Sequence, residues 1–254
     1  MLFLIGLGLS EKDITVGSIE AFRTSELYVD RFTSYISDRT MTYISETAGK
    51  QVAELTRQDM EEDVAELVKR AATRDIAVLV GGDPLMATTH KILYIEAKHQ
   101  GVQTHILHAN SIITTVIGES GLDFYRFGSV CTIPKWSEHY KPMSFYEKIE
   151  RNLTNNEHTI LLLDYDSKRM ETLPVGEAIG TLEKADAHYK KGIITDRTKI
   201  IIMHNISQRD GKVMETTVAE AKSSNLNGMN VIIIPAALSD VEKDAVQART
   251  GAKW

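Results

Sequence analysis

Short apolar runs rich in β-branched residues recur along the chain, at residues 2–7, 27–29, 76–80, 104–107, 159–163, 199–203 and 231–234. That alternation with amphipathic segments constrains the fold more than any single motif. Runs of this length, bounded by polar and turn residues, suit strands covered on both faces. Residues 60–72 illustrate the intervening pattern: Val64, Leu67, Val68 and Ala71 recur at helical spacing and predict one amphipathic helix. Strands alternating with helices at this density specify an α/β fold with largely parallel sheets. The rhythm breaks at residues 130–146, which hold Pro134, Trp136 and Pro142, and a helix resumes near residues 145–153. A division near residues 108–115 gives two α/β domains, 1–110 and 111–254, each of ordinary domain size. No repeat relates the halves, and residues 184–191 read as a solvated helix face.

Composition narrows the function. The net charge of −6 argues against a chain that wraps nucleic acid, whose footprint is a basic excess. Cys131 is the only cysteine, so the chain has no intramolecular disulfide and no thiolate metal cage, as fits a reducing cytoplasm. The apolar opening segment is too short to span a bilayer and has no basic residues before it. A soluble, cytoplasmic protein with no membrane or nucleic-acid partner is expected.

Gly81-Gly82-Asp83-Pro84-Leu85-Met86-Ala87-Thr88-Thr89-His90 follows directly on the apolar run at 76–80. Two glycines remove Cβ atoms where a ligand needs close approach, and Asp83, preceding proline, is biased away from the helical region. From Ala87 onward the pattern predicts a helix with Ile92, Leu93, Ile95 and Ala97 apolar. A strand, a glycine turn and a helix start at the carboxyl edge of a sheet form a common ligand seat; a plain glycine-rich βα turn accounts for the same residues. The first run ends in Gly6-Leu7-Gly8-Leu9, with Glu11 where a dinucleotide fingerprint needs its third glycine, and Glu11 and Asp13 repel a diphosphate. No G-K-[ST] follows Gly82, so a Walker phosphate loop is absent too. Ser111 reads as an N-cap for the apolar helix after it or as a second backbone contact at a neighbouring strand end. The histidines form no H-E-x-x-H pair and no metal-ligating spacing, and no serine sits in a G-x-S-x-G elbow. An aspartate beside backbone amides suits a phosphate-free ligand with a carboxylate, hydroxyls and a positive charge, a description S-adenosylmethionine meets.

In combination, several blocks resemble the diphthine synthases of the tetrapyrrole-methylase-like group of S-adenosylmethionine-dependent methyltransferases. They are Phe3-Leu4-Ile5-Gly6-Leu7-Gly8-Leu9 with Asp13-Ile14-Thr15, the 81–90 stretch, His108-Ala109-Asn110-Ser111-Ile112, Gly121-Leu122 through Tyr125-Arg126-Phe127-Gly128, and Pro142-Met143-Ser144-Phe145-Tyr146. The similarity runs to about Pro235. The resemblance implies two α/β domains with the cofactor in the cleft between them, and a homodimer. It implies that methyl groups pass to the amino group of 2-(3-amino-3-carboxypropyl)histidine on translation elongation factor 2, giving diphthine in diphthamide biosynthesis. By position it implies cofactor contacts at Leu9, Asp83, Met86, Ser111, Ile112, Leu163, Met214 and Ser239. The chain departs from the family's usual small residue at Met214, histidine at Ser239, R-x-G-S at His204-Asn205-Ile206-Ser207 and glutamate at Asp30. No catalytic group is identified; Asp30 is a candidate proton acceptor or a structural residue. A corrinoid or ribosomal-RNA methyltransferase of the same superfamily and a non-catalytic nucleotide-sensing domain are the competing readings.

Overall fold

The computed structural model describes residues 1–224 and 226–252. The chain divides into two compact units, Met1–Ile112 and Ile113–Trp254.

The first unit contains β1 (Leu2–Gly6), α1 (Val16–Thr24), β2 (Glu26–Asp30), α2 (Asp38–Ala48), β3 (Ala53–Glu54), α3 (Arg57–Glu61), α4 (Val64–Arg70), β4 (Ile76–Val80), α5 (Lys91–His99) and β5 (Thr104–Leu107). Its five strands run in the order β3-β2-β4-β1-β5, and every pairing is parallel. Alternate side chains leave opposite faces of a strand, and both faces are filled. Leu4 and Val78 pack with Leu67, Val68, Leu93 and Ala97 on one side; Ile5 and Leu79 pack with Phe22, Val29 and Ile44 on the other. That two-sided burial is why β4 reads as an unbroken apolar run, all five of its residues buried.

Helix α6 (Ile112–Ser120) starts at the last residue of the first unit. The second unit continues with β6 (Cys131–Ile133), α7 (Ser144–Thr154), β7 (Thr159–Leu163), β8 (Tyr165–Asp166), β9 (Glu171–Thr172), α8 (Val175–Tyr189), β10 (Lys199–His204), β11 (Lys212–Thr217), α9 (Val218–Lys222), β12 (Asn230–Ile234) and α10 (Asp240–Thr250). Its main sheet has the order β11-β10-β12-β7-β6, and β8 and β9 form a separate hairpin. Ile133, Leu161, Ile200, Ile202 and Ile232 meet Tyr146, Ile149, Ile179 and Leu182 in one core.

The structure corrects several expectations. Only the first sheet is wholly parallel. In the second, β10 is antiparallel to both β11 and β12, β12 is antiparallel to β7, and β6–β7 alone pairs in parallel among the described residues. The loop between β10 and β11 is too short for a crossover, so those strands must form a hairpin. β11 escaped the hydrophobic pattern because K-V-M-E-T-T is polar and half-buried. Residues 60–72 are not one helix: α3 ends at Glu61 and α4 starts at Val64, although Val64, Leu67, Val68 and Ala71 are all buried as their spacing requires. Residues 184–191 are not wholly solvated, since Ala185 is buried on α8. Burial pushes the Cys131 thiol up to about 11, which leaves it unreactive. No described helix is long and apolar enough to cross a membrane, and no described cluster of His, Cys, Asp or Glu could hold a metal ion.

Candidate functional site

In the parallel first sheet all carboxyl strand ends share one edge, so the loops after β1, β4 and β5 are neighbours. Gly8 and Gly82, at φ +69° and +73°, join two of these loops. Gly8 N donates to Gly82 O at 3.1 Å and Gly82 N to Gly8 O at 2.8 Å. The left-handed backbone at both positions favours glycine. A Cβ on Gly6 would lie 2.7 Å from Gly82 O and 2.9 Å from Pro84 Cδ, so the loops also touch through a missing side chain. The first turn is closed by its own chain. Asp13 Oδ2 accepts from Leu9 N at 2.9 Å and Ser10 N at 3.2 Å. Amides that would face a diphosphate are thereby taken by a carboxylate, the physical reason a dinucleotide turn does not form here.

The second turn is tight on one side and open on the other. A Cβ on Gly81 would meet Ser34 Oγ and Tyr35 O at 2.7 Å, whereas one on Gly82 would meet nothing nearer than Ser111 Cα at 4.0 Å. Asp83 is buried: Oδ1 accepts from Leu85 N at 3.0 Å, and Oδ2 lies 2.7 Å from His108 Nδ1. Met86, by contrast, is 48% exposed. No helix starts beside Asp83, contrary to expectation. Ala87 has φ +53°, and α5 begins only at Lys91. The amides near Asp83 therefore belong to turns, and Ile92 and Ile95 face outward while Leu93 and Ala97 are buried.

His90, which ends this block, is fully buried against Asp30, with Nε2 2.8 Å from Oδ2. Asp30 also accepts from Phe32 N at 2.8 Å, Thr33 N at 3.0 Å and Thr33 Oγ1 at 2.5 Å. Burial raises its carboxyl, but His90 and Thr33 outweigh that and hold it below the usual range. With both oxygens engaged, Asp30 anchors the loop after β2 to the 81–90 turn and is not placed as a proton acceptor.

Ser111, buried, immediately precedes α6, and Ile112 opens that helix. The structure thus gathers Leu9, Asp83, Met86, Ser111 and Ile112 in or after the loops that follow β1, β4 and β5. Leu163, Met214 and Ser239 belong to the second unit, where they stand at separate places on its sheet. Leu163 ends β7 opposite Ile133. Met214 pairs with Ile202 on an edge strand, with β10 and β12 between it and β7. Ser239 follows β12, whose Ile234 pairs with Thr159 at the opposite end of β7 from Leu163.

Ser239 is the N-cap of α10. Its Oγ donates to Glu242 Oε2 at 2.9 Å and accepts from Glu242 N at 3.3 Å. Glu242, buried, also receives Asp123 N at 3.1 Å, Arg126 and His158 Nε2 at 2.8 Å. Burial raises the Glu242 carboxyl, yet these donors prevail and bring it down to about 2. Burial likewise lowers His158, which uses Nδ1 to accept Ala236 N at 3.0 Å. The network fixes a loop to a helix end. Asp13 and His108, named in the sequence only as parts of their blocks and, for Asp13, as repelling a diphosphate, organise the first-unit site. His108 had a readable signal, since it stands one residue beyond β5, at the same strand edge as Asp83.

Known proteins bear on this geometry. The family described as Tetrapyrrole (Corrin/Porphyrin) Methylases matches residues 1–222. The diphthine synthase of Methanothermobacter thermautotrophicus is 32% identical over 99% of this chain and 96% of its own length. That of Methanosphaerula palustris is 34% identical over 99% of both chains. A crystal structure of diphthine synthase superposes with a TM-score of 0.87 at 31% identity, covering 99% of this chain and 96% of the other. A match spanning most of the sequence, with relatives alike from end to end, places this chain in the tetrapyrrole methylase family, among its diphthine synthases, and makes it a methyltransferase.

Proposed function

We propose that the chain transfers methyl groups from S-adenosylmethionine to the amino group of 2-(3-amino-3-carboxypropyl)histidine on translation elongation factor 2, forming diphthine in diphthamide biosynthesis. The observation that carries this reading is the end-to-end likeness to diphthine synthases. It acts in the cytoplasm, as a homodimer, on a protein substrate.

The first-unit edge is compatible with the cofactor. Gly82 leaves open main chain where a Cβ would otherwise project, and Asp83 offers a carboxylate held by His108 and not by a lysine or arginine. The donor set suits hydroxyls and a positive charge and lacks the free amide cradle of a phosphate site. Leu9, Asp83, Met86, Ser111 and Ile112 would hold the cofactor there. Leu163, at a strand's carboxyl end, is retained as a further contact. The half-buried Met214 side chain packs against the core and Ser239 caps a helix, so those two enter only through their backbones.

S-adenosylmethionine supplies a methyl group on a sulfonium, and its positive charge is lost when the methyl passes to an amine. The chain's task is therefore alignment and water exclusion more than acid–base chemistry. His108 fixes the Asp83 carboxylate through one oxygen while Leu85 N fixes the other, so the negative charge cannot swing away. Asp30 and His90 hold the back of the same turn. The two carboxylate–histidine pairs at this edge, Asp83–His108 and Asp30–His90, are engaged with each other, which suits a reaction whose amine releases its proton to water.

A methyl-transfer assay with labelled cofactor and elongation factor 2 carrying the aminocarboxypropyl histidine tests the reading. Incorporation is expected on the modified factor and not on the unmodified one. No incorporation at saturating cofactor rejects it, and transfer to a corrinoid or to ribosomal RNA replaces it.

A further inference from the structure

His90 is a buried titratable residue with one outlet. Its ring is fully buried, and Nε2 lies 2.8 Å from Asp30 Oδ2 with no other partner among the described residues. Nδ1 is hydrogen-bonded to Thr88 Oγ1. Thr88 is half-buried, between the exposed Ala87 and Thr89. A hydroxyl within reach of water is thus joined to an imidazole that water does not reach, with a carboxylate behind it.

The local sequence sets this order. Asp30 ends β2 beside Val80 of β4, at the root of the 81–90 turn that carries Asp83. His90 occupies the N-cap position of α5, where Ser, Thr, Asp or Asn would bond a helix amide, yet its side chain makes no capping bond and turns inward. Ala87, at φ +53°, holds an unfavourable left-handed conformation just before Thr88. Burial raises the Asp30 carboxyl, but His90 and Thr33 outweigh it, so the group stays ionised. An ionised carboxylate only accepts, which places the proton of neutral His90 on Nε2 and leaves Nδ1 to accept the Thr88 hydroxyl. Hydroxyl, imidazole and carboxylate in this sequence let a hydroxyl pass a proton inward. Asp30 is the one charged group paired with His90 among the described residues. The neighbouring Asp83–His108 pair lacks the third member, since no hydroxyl is bonded to His108 among those residues.

We propose that Thr88 and His90, with Asp30 behind them, form the proton outlet of the methyl-transfer reaction; this rests on the function proposed above. The acceptor amine is an ammonium at neutral pH and has no lone pair until it loses a proton. That proton passes to a water molecule at Thr88. The water gives one of its own to Thr88 Oγ1 as the hydroxyl proton moves to His90 Nδ1. Water and hydroxyl are regenerated, and an imidazolium is left against the Asp30 carboxylate. The free amine then displaces the thioether from the methyl group, and the imidazolium returns its proton to solvent by the reverse path. Thr88 is the contact with the water, and His90 and Asp30 act through it.

The test measures single-turnover methyl transfer from S-adenosylmethionine to elongation factor 2 bearing the aminocarboxypropyl histidine. Thr88→Val keeps the side chain's size and removes the hydroxyl. Its rate is expected to fall on the order of a hundredfold at neutral pH, and the deficit to shrink as pH rises past about 9, where the amine loses its proton unaided. Thr88→Ser should retain most of the rate, and imidazole in the buffer should recover part of it in Thr88→Val. Affinities for the factor and for S-adenosylhomocysteine should not move. A Thr88→Val rate equal to wild type overturns the proposal. So does a deficit that is the same at every pH, which makes the hydroxyl a structural residue. Imidazole-nitrogen NMR of the chain alone tests the outlet without substrate: neutral His90 should carry its proton on Nε2 and gain a second on Nδ1 as pH falls. A neutral His90 protonated on Nδ1 overturns the outlet even where methyl transfer succeeds. A wild type that transfers no methyl to the factor rejects the functional reading and this role together, whatever the NMR shows.

Discussion

The two sheets have five strands each but arrange their candidate residues in opposite ways. In the first, every strand points the same way, so Leu9, Asp83 and Ser111 come from loops at one edge and are tied by the Gly8–Gly82 bonds. In the second, antiparallel pairing sends successive loops to alternate ends, and Leu163 and Ser239 finish at opposite ends of β7. Parallel pairing concentrates loops and antiparallel pairing disperses them. Residues aligned to one cofactor by sequence position alone therefore meet where the sheet is parallel.

The largest effect should fall on the dispersed side. Glu242→Ala leaves Arg126 and the buried His158 without their shared acceptor and is expected to cost about 3 kcal/mol or more in urea unfolding. Acid has the same origin. The Glu242 carboxyl lies near 2 in the folded chain against 4.5 unfolded, so the folded state binds fewer protons between those values. Stability from this group is complete above about pH 4.5 and is lost as pH falls toward 2. Denaturation followed against pH should show that acid limb shrink in Glu242→Ala.

On the gathered side, Gly8→Ala places a Cβ 2.0 Å from Asp13 Cβ at a positive φ. A loss of about 2 kcal/mol, measured by thermal unfolding, is expected from the clash and the strain together. A milder pair of substitutions separates the two regions directly. Ser239→Ala should weaken the α10 cap by about 1 kcal/mol while S-adenosylhomocysteine affinity stays at the wild-type level. Asp83→Asn should do the reverse, lowering that affinity on the order of tenfold with little change in melting. Equal affinity losses in both variants would erase the distinction drawn between the sheets.

Much of this was open to a reader of the sequence. Hydrophobic runs marked β4, β5 and β7 to the residue, and in β4 and β7 burial on both faces leaves no exposed position to blur the signal. The glycines at 6, 8, 81 and 82 flagged the turns, and the missing third glycine excluded a dinucleotide site. What resisted reading was polar or long-range. β11 carries too few apolar residues to announce itself, and the α3–α4 break leaves the helical spacing of buried residues unchanged.

The sequence by itself determined the α/β class, the places of β1, β2, β4, β5, β7, β10 and β12, and the glycine–aspartate bend, since each is encoded in local periodicity or in a residue's own backbone freedom. Only the tertiary structure decided the direction of pairing in the second sheet, the start of α5 at Lys91 after a left-handed Ala87, and the capture of Asp83 by His108 and of Asp30 by His90. These depend on which distant strands lie side by side, and no window of neighbouring residues contains that information.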